Sequence, residues 1–245
     1  GSQHSTTAVV SITNLAPTVT DLSGDASGVE GAALAWTATA TDPGSGDVLS
    51  YSWDFGDGTS VSSGTSPSSS HSYADEGNYT VTVTVTDDAL PGLSDSDSMV
   101  VTVTNAPPSG LVITAPSGDE GELLTMSALA GDPGSTDSLS YSWDFGDGSP
   151  LGTGASVTHT YINDGQYIVT VTCSDGDGGT VVGTTATSIA NLNPAISSLT
   201  GDSTGVEGTA MSWSAVASDP GLNDTLTYTW DFGDLSPTVS GASPS

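Results

Sequence analysis

From Tyr79 to Thr86 the chain reads Tyr-Thr-Val-Thr-Val-Thr-Val-Thr, a strict alternation that places Val81, Val83 and Val85 on one face and threonines on the other. A period of two over eight residues predicts a β-strand with one buried and one solvated face. The same pattern returns at Tyr167 to Thr172, while Met99 to Thr104 and Thr7 to Thr13 read as the last strand of a repeating unit. Asp-Pro-Gly-Ser, Gly-Asp-Gly, Asp-Glu-Gly-Asn and Asp-Gly-Asp-Gly-Gly stand between the apolar runs, and each carries the residues that β-turns use. Nothing repeats at 3.6 residues, so the expected class is all-β.

The strands recur in blocks. Leu49-Ser-Tyr-Ser-Trp-Asp-Phe-Gly-Asp-Gly58 returns at Leu139 to Gly148 and again from Leu226 to Asp234, and Trp53, Trp143 and Trp230 follow at steps of 90 and 87 residues. Steps of that size are domain-sized, and each can hold its own core. The predicted division is 1–16 as the final strand of a preceding repeat, 17–106 and 107–193 as full repeats, and 194–245 as an incomplete third. Roughly seven short strands per period, separated by regular turns, predict tandem Ig-like antiparallel β-sandwiches arranged as beads on a rod. Asp75-Glu-Gly-Asn-Tyr79 and Asn163-Asp-Gly-Gln-Tyr167 have the form of a tyrosine corner, in which the phenol binds upstream backbone.

Composition narrows the function. The 245 residues contain no Lys or Arg against 29 Asp plus Glu, a formal charge of −29. Nucleic acid and anionic membranes are excluded as partners, because phosphate contacts rest on the missing side chains. Cations are the natural ligands. Cys173 aligns with Val85 and reads as a small buried hydrophobe, and no apolar run reaches the ~18 residues of a membrane span.

Three longer stretches, Tyr51-Ser-Trp-Asp-Phe-Gly-Asp-Gly58, His71-Ser-Tyr73 and Gly77 to Asp87, together resemble the PKD (polycystic kidney disease) domain. The second period matches through His159-Thr-Tyr161 and Gly165 to Asp175. The third departs from the pattern, with Leu235 in place of the second glycine and Ser245 before a His-x-Tyr segment. The resemblance implies an extracellular sandwich used as a spacer or interaction module, in surface proteins or beside the catalytic domains of secreted hydrolases.

Candidate chemistry is limited. Asp54-Phe-Gly56 spells a nucleotide-metal triplet, but phosphoryl transfer also needs a lysine, so Asp54 and Asp57 read as turn carboxylates accepting backbone N–H groups. His71 and His159 occupy equivalent places in different periods and cannot share a metal. No Gly-x-Ser-x-Gly elbow is present, and no enzyme is expected. Calcium is the expected cofactor, because a hard cation prefers carboxylate and amide oxygens and the periods supply them at matching places. The expected ligands are Glu30, Asp42 and Asp47, then Glu120, Asp132 and Asp137, then Glu207, Asp219 and Asp224, with Asn14, Asn105 and Asn191 at the linkers.

The overall expectation is a non-enzymatic extracellular stalk, adhesin segment or fibre component. Its partners would be neighbouring repeats or, in a strand-exchanging filament, identical subunits, with glycans or other surface proteins as further candidates. The alternative is an accessory array of a secreted hydrolase that binds polysaccharide or protein fibres, with Tyr51, Tyr141 and Tyr228 as candidate sugar-binding rings. Asn78-Tyr-Thr80 and Asn223-Asp-Thr225 have the N-glycosylation pattern.

Overall fold

A computed structural model describes residues 1–241, and every regular element in it is a strand. The chain forms two compact units. The first comprises residues 1–108 together with the loops 132–138 and 175–179; the second comprises 109–131, 139–174 and the chain from 180 onward.

In the first unit the strands are β1 (Thr18–Gly24), β2 (Ser27–Val29), β3 (Ala33–Thr41), β4 (Ser50–Asp54), β5 (Ser62–Gly64), β6 (Ser68–Ser72), β7 (Gly77–Thr86) and β8 (Ser94–Thr104). They make a three-stranded sheet, β1-β3-β6, facing a five-stranded sheet, β2-β8-β7-β4-β5. All pairings are antiparallel except β2 with β8, where Ser27 lies opposite Thr102. The first strand segment thus begins in one sheet and crosses to the other, carrying Glu30 to the end of the sandwich.

Alternation along β7 puts Val81, Val83 and Val85 entirely out of solvent, where they meet Trp36, Trp53, Phe55 and Tyr73 between the sheets. Full burial of one valine contributes roughly 1.5–3 kcal/mol, so this strand is a main source of the unit's stability. The tyrosine corner forms as expected: the Tyr79 hydroxyl donates to the Asp75 carbonyl at 2.9 Å.

The second unit repeats this plan with β9 (Ser109–Thr114), β10 (Gly118–Asp119), β11 (Leu123–Gly131), β12 (Ser140–Asp144), β13 (Gly152–Thr153), β14 (Ser156–Thr160), β15 (Gly165–Ser174) and β16 (Thr180–Ala190). Sheets β9-β11-β14 and β10-β16-β15-β12-β13 enclose Met126, Trp143, Val169, Val171 and Cys173, each 0 % exposed. The third period contributes two strand pairs, β17 (Ala195–Gly201) with β18 (Trp213–Ser218) and β19 (Thr229–Trp230) with β20 (Val239–Ser240).

Two expectations differ from the structure. Thr7 to Thr13 joins no sheet among the described residues and lies exposed. Tyr51 and Tyr141 are 8 % exposed. They stand two positions from Trp53 and Trp143 on the same strands, so they share the inward face and offer no platform to a sugar.

Candidate cation sites

Each period builds its acidic loop in the same way. The amide of Gly44 donates to Asp42 Oδ1 at 2.7 Å, and those of Gly134 and Gly221 donate to Asp132 and Asp219 at 2.8 Å. A second turn follows, from the Asp47 amide to the Gly44 carbonyl at 3.2 Å, with counterparts at Asp137 and Asp224. The proline between aspartate and glycine fixes the entry to this turn. As a result the two carboxylates of each loop are held side by side.

Glu30 and Glu120 are the most deeply placed charges, each 1 % exposed. The Glu30 amide continues the β2 ladder by donating to the Thr104 carbonyl at 3.1 Å, and the chain then turns at Gly31, whose amide bonds the Tyr73 carbonyl at 2.8 Å. One carboxylate oxygen of Glu30 accepts the Ala106 amide at 2.7 Å. The other, Oε2, is buried without a hydrogen-bond partner.

The structure groups the expected ligands across the period rather than within it. In the first unit Glu30 meets Asp137 and Asp75, with one oxygen from each lying within 4.8 Å of the others. Asp132, Asp137 and Asp175 form a second such triad in the same unit. Asn105 donates to Asp175 Oδ2 at 3.0 Å, while Asn105 Oδ1, Asp132 Oδ2 and Asp137 Oδ2 are buried without partners. In the second unit Glu120, Asp164 and Asp224 form the corresponding triad. There the Asn191 amide meets Glu120 Oε1 and Asp224 Oδ2, both at 2.9 Å. With its nitrogen toward them it donates two hydrogen bonds; turned over, it places a carbonyl oxygen at the same point.

Asp42 and Asp47 lie apart from Glu30. Their neighbours are Asp87 and Asp88, whose charges, after desolvation and Asp42, help hold the Asp47 carboxyl above the usual range. Asn14 donates to Asp87 at 2.9 Å. Glu207 is exposed and joins no carboxylate triad among the described residues.

Desolvation first, and then the charges of Glu30 and Asp132, hold the Asp137 carboxyl above its ordinary range. Asp224 is raised in the same way, by desolvation and then by Glu120 and Asp219. Like charges crowded into a partly dry site favour either protonation or a counter-cation. This chain has no lysine or arginine to act as the counterion.

The residues fit a hard cation on two structural grounds. The first is the orphaned Oε2 of Glu30, since a buried carboxylate oxygen with no partner carries the full cost of desolvation. The second is a cradle floored by glycine. A Cβ on Gly134 would stand 2.9 Å from Glu30 Cδ and 2.6 Å from Asp137 Oδ2, and one on Gly221 would stand 2.6 Å from both Glu120 Oε2 and Asp224 Oδ2. Any side chain there would fill the space between the carboxylates.

Asp75, Asp164 and Asp175 were not among the expected ligands. Asp75 and Asp164 lie in the tyrosine corners, which use their backbone carbonyls, and the Asp175 carboxylate accepts the amides of Asp177 and Gly179 at 2.9 Å. The one available signal was the recurrence of an aspartate, Asp87 and Asp175, just after each long Val-Thr strand.

His71 and His159 serve the core. His71 bonds Asp57 at 2.6 Å and stacks on Phe55 with ring centroids 4.2 Å apart; His159 does the same with Asp147 at 2.8 Å and Phe145 at 3.9 Å. Asp54 and Asp57 accept the amides of Gly56 and Thr59, the turn role read for them above.

This pair of repeated Ig-like sandwiches, each with a tyrosine corner and an acidic end, defines a class, and comparison with known families gives it a name. The model of the PKD domain matches residues 14–103, 105–189 and 191–245, and the chain belongs to that family. A microbial collagenase of Vibrio alginolyticus is 33% identical over 82 residues, which is 34% of this chain and 10% of that protein; the chain thus spans about a tenth of that relative's length. Among solved structures, the PKD1 domain of Vibrio anguillarum Epp is 32% identical, with 37% of this chain and 96% of that chain covered and a TM-score of 0.30. Mouse cadherin-23 EC22-24 is 22% identical over 72% of this chain and 65% of that one, with a TM-score of 0.35. No helix among the described residues is long and apolar enough to cross a membrane.

Proposed function

We propose that the chain is a non-enzymatic extracellular array, a stalk, adhesin or fibre component, whose compact units are tightened by calcium. The observation that carries this reading is the Glu30 site: a glutamate 1 % exposed, with one orphaned oxygen, beside Asp75 and Asp137 in a chain without a lysine or arginine. Calcium takes six to eight oxygens at about 2.3–2.6 Å, so ligand oxygens on one ion stand at most roughly 5 Å apart, which is the spacing of these carboxylates. Bound ions would pin the loop 132–138 to the end of β2 in the first unit, and the Asp219–Asp224 loop to Glu120 in the second.

Thermal unfolding with calcium and with chelator tests the reading. A ligand at a hundred times its Kd stabilises by about 2.7 kcal/mol, which for a chain of this size is a rise of roughly 5–10 °C. Glu30→Gln keeps the shape and the Ala106 bond but removes the charge, and it should abolish the first unit's share of the rise. An unchanged melting curve on chelation would remove the proposal.

The match to the collagenase favours a second reading, an accessory array of a secreted hydrolase that binds protein fibres. Cosedimentation of the chain with insoluble collagen and with insoluble polysaccharide separates the two. Retention on fibres supports the accessory role, and its absence leaves the structural one.

A further inference from the structure

The first unit contains more oxygen ligands than one ion can use. Glu30, Asp75 and Asp137 make one close triad, and Asp132, Asp137 and Asp175 make another, with Asp137 as their shared member. Four atoms around the pair are buried and have no hydrogen-bond partner: Glu30 Oε2, Asp137 Oδ2, Asp132 Oδ2 and Asn105 Oδ1. Glu30 belongs to the first triad, and Asp132 to the second. Asn105 is tied by its nitrogen to Asp175, a member of the second triad, and its own Oδ1 is unpartnered. Each group therefore has an orphan of its own, and an ion in one leaves the other's orphan unexplained.

The charge balance points the same way. Asp177 stands close enough to act on Asp137, and Glu76 close enough to Asp75 to share a hydrogen bond with it, so both add acidic groups to the cluster. A single divalent ion offsets two charges in a cluster several times richer than that. No protein cation is available to offset the rest.

We infer that the first unit holds two calcium ions bridged by the Asp137 carboxylate, one on Glu30, Asp75 and Asp137, the other on Asp132, Asp137, Asp175 and Asn105 Oδ1. This rests on the calcium reading proposed above and adds to it a count, a bridging residue and a division of ligands. Asp175 and Asn105 gain a role that their turn and linker positions do not suggest. Gly134 gains one too, since its missing Cβ leaves open the space where Glu30 and Asp137 converge. In the second unit only the triad of Glu120, Asp164 and Asp224 is this close among the described residues, so the two units should differ in capacity by one ion.

Native mass spectrometry of the full chain titrated with calcium, with circular dichroism as the check on folding, counts the ions directly. Relative to the parent, Glu30→Gln should lose one ion, Asp132→Asn should lose one, Asp137→Asn should lose two, and Glu120→Gln should lose one independently of the others. Should Asp137→Asn fail to fold, the double variant of Glu30→Gln with Asp132→Asn supplies the same test, with a loss of two expected. If Glu30→Gln and Asp137→Asn each lose a single ion while Asp132→Asn binds as many as the parent, the bridged pair is overturned and the single-ion reading stands. If the parent binds no calcium at all, both fall together.

Discussion

Leu235 has φ 67°, in the left-handed region, at the place where the first two periods carry Gly58 (φ 79°) and Gly148 (φ 78°). A side chain in that conformation costs about 1–2 kcal/mol, because its Cβ crowds the neighbouring carbonyl. Leu235→Gly should therefore stabilise the β19–β20 turn by about 1 kcal/mol, read as slower hydrogen exchange at Trp230 and Val239. The departure was visible as a missing glycine in a repeated motif. The carboxylate partners were not visible in the same way: Glu30, Asp42 and Asp47 are neighbours along one period, and periodicity alone groups them. What separates them is the crossing from β1 in one sheet to β2 in the other, which delivers Glu30 to the opposite end of the sandwich from its own loop. Asp175 escaped notice because hydrogen bonding within its turn is already a sufficient reason for an aspartate, and Asp75 because it stands in a tyrosine corner whose bond needs only its backbone carbonyl.

Strand positions were the most legible part of the chain, because alternation reports directly which face meets the core. Val81, Val83 and Val85 follow it without exception, and Cys173 takes the place of Val85 in the second unit at 0 % exposure. Alternation does not name a partner, which is why Thr7 to Thr13 has the pattern of a strand without being one here. Two predictions belong to this scale. Trp143→Ala empties a site that is 0 % exposed and should cost about 3–5 kcal/mol in urea unfolding. Tyr79→Phe removes the corner bond to Asp75 and should cost about 0.5–1.5 kcal/mol. Because that bond fixes the backbone of a proposed ligand, the same substitution should also weaken calcium binding to the first unit, whereas Tyr73→Phe, which loses a bond to the Phe55 carbonyl, should not.

At the scale of the molecule, 29 acidic residues without a lysine or arginine make stability depend on what surrounds the chain. Salt screens like charges beyond about 8 Å at physiological strength, so without calcium the melting temperature should climb with added sodium chloride. Acid acts in two opposed stages. Asp47, Asp137 and Asp224 have folded-state carboxyls raised above their unfolded values, so their contribution is fully present below the unfolded pKa and is lost as pH rises through the folded one. Asp57 and Asp147 behave in the opposite sense: partial burial works against their charge, but hydrogen bonds from Thr59 and His71, and from Ser149 and His159, outweigh it and hold them below the usual range. Their contribution is present above the unfolded pKa and is lost as pH falls through the depressed one. Calcium-free protein should therefore be most stable in mild acid, above the point where Asp57 and Asp147 protonate, and calcium should move that maximum toward neutrality; urea melts across pH check both. The offset of Glu30 from its own loop also bears on how such a chain can be cut. A fragment trimmed at residue 105, where one match to the family ends and the next begins, would keep a whole core and divide the Glu30 cluster between two tubes.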